Sequence, residues 1–313
     1  MSELAVTEIG GVENTAWFYR TEFLTYGTIY PHFFCPFCNI RLSPCNIYKE
    51  EKIIRSPYFK YYEQNHLNGC DGTPIFTDNQ SNQQPKSKIR PMTRGSYPEA
   101  LVPRRPPKQV NSTIQSTTQV LNLTPEEIQR RRKNTGSRGR SIPSSSLLKS
   151  FVDEWKSKIH DSYVKFPEKK DELQRRTWIN KVLSNMPLRL DDQTNYQSAF
   201  MRPQYIEFNK KRIYSSKGRI SLEQSGFIIQ GTEYLKSEQK NIDVRLTICI
   251  DEITDDSPQA HKKMLELLHQ FASITADIEW YAYGRAELDG NRNFSLNIEN
   301  FDHLYFKKQY IRN

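Results

Sequence analysis

The amino-acid sequence predicts a multidomain α+β protein, with a small N-terminal metal-binding module and a mainly antiparallel β domain that is preceded by helices. Three observations support this class. Metal-ligand residues cluster near the N-terminus, a polar and basic stretch follows, and apolar residues alternate over much of 204–304. A period of two is typical of strands with one buried face. The expected segments are the module at 1–71, a basic disordered linker at 72–143, a helical segment at 144–203 and the β domain at 204–313.

The metal-binding prediction rests on two pairs of residues. Cys35 and Cys38 are separated by two residues, and His66 and Cys70 by three. The pattern C-x2-C-x27-H-x3-C can bring two short turns around one ion, as tetrahedral zinc requires. Three thiolates and one imidazole would fill all four positions, so we expect structural Zn²⁺ with no open position for catalysis.

Alternatives to this zinc site stay open. A C-x2-C pair can be redox-active, although that chemistry is usually found between a strand and a helix, and no helical pattern follows here. The thiols could also be unpaired structural groups. His66 is the weakest candidate, and His32 or Cys45 could replace a ligand. We also expect strands at 28–34 and 47–54 in this module, because β-branched and aromatic residues are frequent there.

Charge points to a polyanionic partner. The 313 residues include 45 Lys or Arg and 36 Asp or Glu, a net charge of +9. Residues 72–149 hold fourteen Lys or Arg but only four Asp or Glu, so the positive excess lies in this stretch. Its polar composition cannot bury enough apolar surface to offset the entropy of ordering. The candidate phosphate-binding residues here are Arg130, Arg131, Arg132, Lys133, Arg138 and Arg140.

The sequence carries no sign of secretion or of membrane insertion. No basic start followed by an apolar run is present at the N-terminus, and no stretch approaches 18 consecutive apolar residues. Five cysteines, four of them explained without disulfides, are typical of a reducing compartment. We therefore expect a cytoplasmic protein without membrane contact.

The C-terminal half shows a regular order of elements. Two amphipathic helices are predicted at 147–159 and 171–183, because apolar residues recur three and four positions apart. Three strands, a helix and two strands follow. They are expected at 204–214, 226–235, 241–253, 257–274 (the helix), 278–288 and 294–301, and the first strand should end before a turn at 215–219.

This order, β-β-β-α-β-β, resembles that of the OB-fold, a five-stranded Greek-key barrel. The resemblance covers about 100 residues and rests on element order, and another antiparallel α+β sheet is the alternative. It implies that single-stranded DNA or RNA binds on strands two and three and nearby loops. The implied binding residues are Phe227, Tyr234, Lys236 and Arg245. Alternatively, Phe227 belongs to the core and the lysine lies on a solvated strand edge.

The sequence does not indicate an enzyme, because it lacks the P-loop, dinucleotide-binding, nucleophile-elbow and H-E-x-x-H motifs. Asp251, Glu252, Asp255 and Asp256 could hold Mg²⁺ for nuclease chemistry, but acidic residues are also favoured before a helix. We expect a non-enzymatic nucleic-acid-binding protein. The alternatives are a protein–protein adaptor or assembly subunit and, third, a metal-dependent nuclease.

Overall fold

The computed structural model describes residues 2–50, 53, 55–62, 66–67, 70, 97–103, 142–202, 205, 208, 210–223, 226–231, 244–248, 259–274, 277–288, 294–298 and 300–308. Within these residues the α-helices are α1 (Ala16–Tyr26), α2 (Leu148–Lys165), α3 (Glu172–Ser184), α4 (Tyr196–Ala199) and α5 (Gln259–Ile274). The strands are β1 (Leu4–Ala5), β2 (Asn14–Thr15), β3 (Phe33–Phe34), β4 (Arg41–Cys45), β5 (Tyr58–Tyr61), β6 (Ala100–Leu101), β7 (Ser144–Ser145), β8 (Pro187–Arg189), β9 (Gln193–Asn195), β10 (Phe200–Met201), β11 (Lys211–Glu223), β12 (Gly226–Gly231), β13 (Val244–Ile248), β14 (Asp277–Leu288), β15 (Phe294–Ile298) and β16 (Leu304–Lys308). The protein is therefore mixed α+β with several antiparallel sheets, as the sequence predicts.

The N-terminal unit is built on the three-stranded antiparallel sheet β3–β4–β5. The first residues of the chain bond to both of its outer strands, because Ser2 pairs with Phe59 of β5 and Val6 pairs with Phe34 of β3. The core of this unit is mostly aromatic and aliphatic. Its fully packed members are Ala5, Ala16, Tyr19, Phe33, Cys35, Leu42, Ile47 and Phe59. A metal-ligand candidate, Cys35, is thus part of this core.

Helix α1 covers the core of the N-terminal unit, and its ends are defined by local chemistry. The Thr15 hydroxyl accepts a hydrogen bond from the N–H of Phe18 at 3.1 Å, which caps the first turn. Gly27 follows the last turn with a φ of 68°, a left-handed conformation that favours glycine. Sequence reasoning missed this helix, because its apolar residues surround the helix instead of forming one stripe.

A second unit combines the hairpin of α2 and α3 with the four-stranded sheet β7–β6–β8–β9. Strand β6 falls within the predicted disordered linker, and here the structure departs from the sequence-based expectation. Tyr97 is buried in an apolar cluster with Phe151 and Tyr196, and Ala100 is also buried, which linker composition does not predict. The remainder of the linker, at 72–96 and 104–141, lies outside the described residues.

The C-terminal sheet is organised around two long strands, β11 and β14, which pair with each other in antiparallel orientation. Strand β11 also pairs antiparallel with β12, and β14 pairs antiparallel with β15 and β16. Strand β13 pairs with β15 in parallel, and the short β10 runs parallel to the start of β11. Strands β12 and β13 contact each other, but no ladder joins them among the described residues, so a closed barrel is not observed.

Several predicted boundaries differ from the observed ones. The expected turn at 215–219 is wrong, because β11 continues through it while Ser216 pairs with Trp280 and Ile220 pairs with Ile229. Two neighbouring strands stabilise this extended backbone and override the turn propensity of Ser and Gly. The second strand of the N-terminal unit is β4, which precedes the expected strand at 47–54. The last strand, β16, was not predicted.

Hydrogen bonds connect the N-terminal unit to the start of α2. The Ser144 N–H donates to Ser56 Oγ at 2.8 Å, and Ser56 Oγ donates to the Ser144 carbonyl at 2.9 Å. Ser145 Oγ donates to the Glu3 carboxylate at 2.8 Å.

Among the helices of the described part of the chain, none has both the length and the apolar character to span a bilayer.

Candidate metal centre and candidate binding residues

The first ligand pair lies in a tight turn between β3 and β4. The N–H of Cys35 donates to the carbonyl of Ile40, and the N–H of Asn39 donates to the carbonyl of Cys35, both at 2.9 Å. Asn39 has a φ of 58°, in the left-handed region that asparagine tolerates better than most residues. This turn, which we call the knuckle (residues 35–40), holds Cys35 and Cys38 on the same side of the chain.

The second ligand pair lies on another short turn. The N–H of Cys70 donates to the carbonyl of Leu67 at 2.9 Å, a bond between residues three positions apart that keeps this pair compact. His66 is only partly exposed, and its Nδ1 atom faces the sulfur atoms. The two turns therefore bring together four side chains that are up to 35 positions apart in the sequence.

Three of the distances between these ligand atoms are close to the edges of a zinc tetrahedron. With Zn–S bonds of about 2.3 Å and Zn–N bonds of about 2.0 Å, the edges are about 3.8 Å between sulfurs and about 3.5 Å between sulfur and nitrogen. The Cys35 and Cys70 sulfurs are 3.6 Å apart, and His66 Nδ1 is 3.4 Å from Cys38 Sγ and 3.5 Å from Cys70 Sγ. All four ligand atoms lie within 4.8 Å of one another. The cluster could hold a metal ion, and its donor set is consistent with zinc.

The electrostatics of Cys35 favour the thiolate. The pKa of Cys35 is lowered to about 4, and the hydrogen bond from the Cys70 thiol is the largest cause. Hydrogen bonds from His66 and from the N–H groups of Phe37 and Cys38 contribute to this lowering, whereas burial acts in the opposite direction. Because the thiolate is the metal-binding form of cysteine, the centre presents a ligand that needs no further deprotonation at neutral pH.

The two substitute ligands that the sequence left open lie elsewhere. Cys45 Sγ donates to the carbonyl of Ser43 at 3.9 Å, and His32 Nδ1 accepts a hydrogen bond from Arg41 at 3.0 Å. Neither residue belongs to the four-residue cluster. Of the three ligand candidates, His66 is the one that the structure places beside the thiols.

The knuckle also contacts the C-terminal sheet through Lys263 of α5. Lys263 Nζ donates to the Pro36 carbonyl at 3.1 Å and to the Glu13 carboxylate at 2.6 Å. The same ammonium lies 4.7 Å from the centroid of the Phe37 ring. Sequence reasoning missed this residue, because nothing in a helical pattern distinguishes a solvated lysine from one that reaches a distant turn.

Most candidate nucleic-acid contacts lie outside the described residues. These are Arg130, Arg131, Arg132, Lys133, Arg138, Arg140, Tyr234 and Lys236. The candidate Mg²⁺ ligands Asp251, Glu252, Asp255 and Asp256 also lie outside the described residues. Arg245 lies in β13, opposite Ser295 of β15. Phe227 is 2% exposed, and its ring packs edge-on against His269. It is therefore a core residue, which was the alternative interpretation, and its ring is not accessible for stacking on a base.

Comparison of the chain with protein-family models, with curated proteins and with solved structures found no match.

Proposed function

We propose that this protein binds single-stranded DNA or RNA without acting on it as an enzyme. The C-terminal β domain, which we take to be an OB-like barrel, provides one binding surface. The basic segment between β6 and β7 attracts the phosphates, and a structural zinc ion stabilises the N-terminal unit.

The observation that carries this proposal is the pairing of five strands in the C-terminal sheet. Taken as strands one to five, β11, β12, β13, β14 and β15 show the pairs one–two, one–four, three–five and four–five. The three–five pair is parallel, and α5 lies between strands three and four. We interpret this as the Greek-key order of the OB-fold, which commonly binds oligonucleotides. Contact between β12 and β13 supports a partly open barrel.

Zinc would have a structural role, because three thiolates and an imidazole leave no position for a substrate or a reactive water. The centre adjoins the aromatic core, with Cys35 fully buried and Cys38 and Cys70 packed against it. In a unit this small, metal binding contributes directly to the free energy of folding. Thiolates reserved for a metal also suit a reducing compartment such as the cytoplasm.

A binding assay over a range of salt tests the proposal. We expect the full chain to bind labelled single-stranded DNA and RNA at low ionic strength, measured by fluorescence anisotropy. If six phosphates are neutralised, the slope of log K against log salt will be about −4. Absence of binding to single strands and duplexes at low salt would overturn the proposal, and Mg²⁺-dependent cleavage would favour a nuclease.

Two changes separate the contribution of the basic segment between β6 and β7 from that of the C-terminal β domain. Replacing residues 104–141 with a neutral Gly/Ser sequence of equal length should weaken binding and reduce its dependence on salt. Arg245→Ala should weaken single-strand binding in the chain that keeps its basic segment. The matched control is Arg176→Ala on α3, an exposed arginine paired with Glu172, which should leave affinity unchanged.

An adaptor function is the second candidate, and one surface favours it. The end of the α2–α3 hairpin exposes Tyr163, Val164 and Leu173 by 56%, 68% and 76%. Exposed apolar side chains that lie close together are typical of protein contact sites. If the chain binds neither DNA nor RNA in the assay above, the adaptor function becomes the favoured candidate.

A further inference from the structure

The outer face of the N-terminal sheet carries basic and aromatic side chains. In the register of β3, β4 and β5, Phe34 lies opposite Arg41, and Ser43 lies opposite Lys60. Their neighbour Leu42 is buried in the core, so these alternate positions lie on the opposite face. Arg41 and Lys60 are both exposed. We call this surface the Arg41–Tyr62 face; it comprises His32, Phe34, Arg41, Lys60 and Tyr62.

Arg41 is held in place on this face by two neighbours. Its Nη2 atom donates to His32 Nδ1 at 3.0 Å, and its Cζ atom lies 5.1 Å from the centroid of the Tyr62 ring. The carbonyl of Arg41 also accepts a hydrogen bond from the N–H of Tyr62 at 3.1 Å. A guanidinium has five N–H donors, and within the part of the chain that the structure describes one side-chain hydrogen bond of Arg41, to His32, is observed. The group is oriented before any ligand arrives, which reduces the entropic cost of binding.

The charge and the rings of this face indicate the class of ligand. No residue of β3, β4 or β5 is Asp or Glu, while Arg41 and Lys60 are cationic. The Tyr62 side chain is 54% exposed although its ring is large and apolar. A polyanion can pair with Arg41 and Lys60, and the planar bases of a nucleic acid can also stack on the Tyr62 ring.

We propose that the Arg41–Tyr62 face binds a segment of single-stranded nucleic acid. Arg41 and Lys60 contact phosphates, and an unpaired base stacks on Tyr62 and the guanidinium plane of Arg41. This inference rests on the proposed function but concerns a different unit of the chain. It assigns the N-terminal unit a direct binding role in addition to its metal centre.

Substitutions on the face test this assignment in the full-length, zinc-loaded protein. The probes are fluorescein-labelled oligothymidylate and oligouridylate of about 12 nucleotides, within the usual site size of such surfaces. Tyr62→Ala should lower the affinity for both by roughly 5- to 100-fold, since one stacked base is lost. Arg41→Ala should also reduce the salt slope by about 1. Arg41→Lys keeps the charge without the planar group and should show an intermediate loss.

Matched controls exclude unfolding and general charge effects. Tyr26→Ala removes a tyrosine of the same unit that is 63% exposed on α1, and Arg176→Ala removes an exposed cation on α3. Both should bind as the wild type does. Each variant is checked for one zinc per chain. A second measurement uses the unaltered protein: photocrosslinking to an oligonucleotide that contains 5-iodouracil should label Tyr62.

The outcomes separate this inference from the proposed function. If the wild type binds single strands but Tyr62→Ala and Arg41→Ala bind equally well, the face is not a binding site and the proposed function stands. A loss confined to Arg41→Ala, with Tyr62→Ala binding as the wild type does, also overturns the inference, because it indicates a phosphate contact without stacking. If the wild type binds no nucleic acid, both fail.

Discussion

At the scale of single residues, the metal centre depends on which side chains the two turns bring together. Cys35, Cys38, His66 and Cys70 form one cluster, whereas Cys45 lies at the end of β4 and contacts the carbonyl of Ser43. All five side chains are of types that can bind zinc, and only their positions distinguish the four cluster members from Cys45. Substitution of a cluster member should therefore weaken metal binding much more than substitution of Cys45.

We predict that Cys35→Ser and His66→Ala each weaken metal binding by more than about 100-fold. Even mutation of a residue that only hydrogen-bonds to a metal ligand lowers metal affinity by roughly 10- to 100-fold. Cys45→Ser is the control and should retain one zinc per chain. Zinc content by mass spectrometry and the visible spectrum of the Co²⁺-substituted protein measure this. Equal zinc content in all three variants would show that the cluster does not hold the metal.

At the scale of elements, helix α1 is capped at its first turn and packs against the core beside the candidate metal centre. The buried Thr15 caps the helix, and one turn later Tyr19 packs edge-on against Phe33 and Phe59. Arg20 of the same helix donates to the carbonyls of Asn46 and Lys49 at 2.9 Å and 2.8 Å. The helix therefore positions both the aromatic core and the loop after β4.

We predict that Thr15→Ala lowers the free energy of unfolding by about 1 kcal/mol, the usual cost of losing an N-cap. Thr15→Ser retains the hydroxyl and should recover most of this loss. Thr177→Ala is the control, because Thr177 is exposed within α3 and its hydroxyl donates to the carbonyl of Leu173 in the same helix. Urea denaturation followed by circular dichroism measures these differences. If Thr15→Ser were as destabilised as Thr15→Ala, the hydrogen bond would not be the cause.

At the scale of the whole molecule, the N-terminal unit contacts both of the other units. Ser56 and Ser144 exchange hydrogen bonds at the start of α2, and Lys263 of α5 reaches the Pro36 carbonyl in the knuckle. Lys156 of α2 pairs in turn with Glu279 of β14 at 2.7 Å. A metal ion held by Cys35 and Cys38 would constrain the knuckle, so metal binding should also influence the contact of the knuckle with α5.

We predict that Lys263→Ala leaves the zinc content unchanged but increases backbone amide exchange in both the knuckle and α5. The lysine forms an ion pair, a hydrogen bond to a carbonyl and a cation–π contact there, and contacts of this kind are worth about 0.5–1 kcal/mol each. Hydrogen–deuterium exchange with mass spectrometry detects the change.

Lys181→Ala, which removes an exposed lysine of α3, is the control for that experiment. Removal of zinc by a chelator should raise exchange in α5 as well as in the knuckle. If chelation changed exchange only in the N-terminal unit, the contact through Lys263 would not couple the metal centre to the C-terminal sheet.

Local chemistry made part of this structure predictable. The cluster of Cys35, Cys38, His66 and Cys70 was predictable, because zinc sites use thiolates and imidazoles at short spacing, and C-x2-C and H-x3-C each fit one turn. The helices α2, α3 and α5 were predictable because their apolar residues recur at helical spacing. Strand β14 was predictable at nearly its observed length, since Trp280 faces one core while Tyr281 and Tyr283 face another.

The sequence by itself determined the Cys and His types of the candidate metal ligands, the α+β class and the order of the elements from β11 to β15. Tertiary structure decided the choice of His66 over His32, the extension of β11 through 215–219 and the burial of Tyr97. It also decided which surface carries Arg41 beside Tyr62. Each of these depends on partners distant in the sequence, and periodicity and spacing report only on neighbours along the chain.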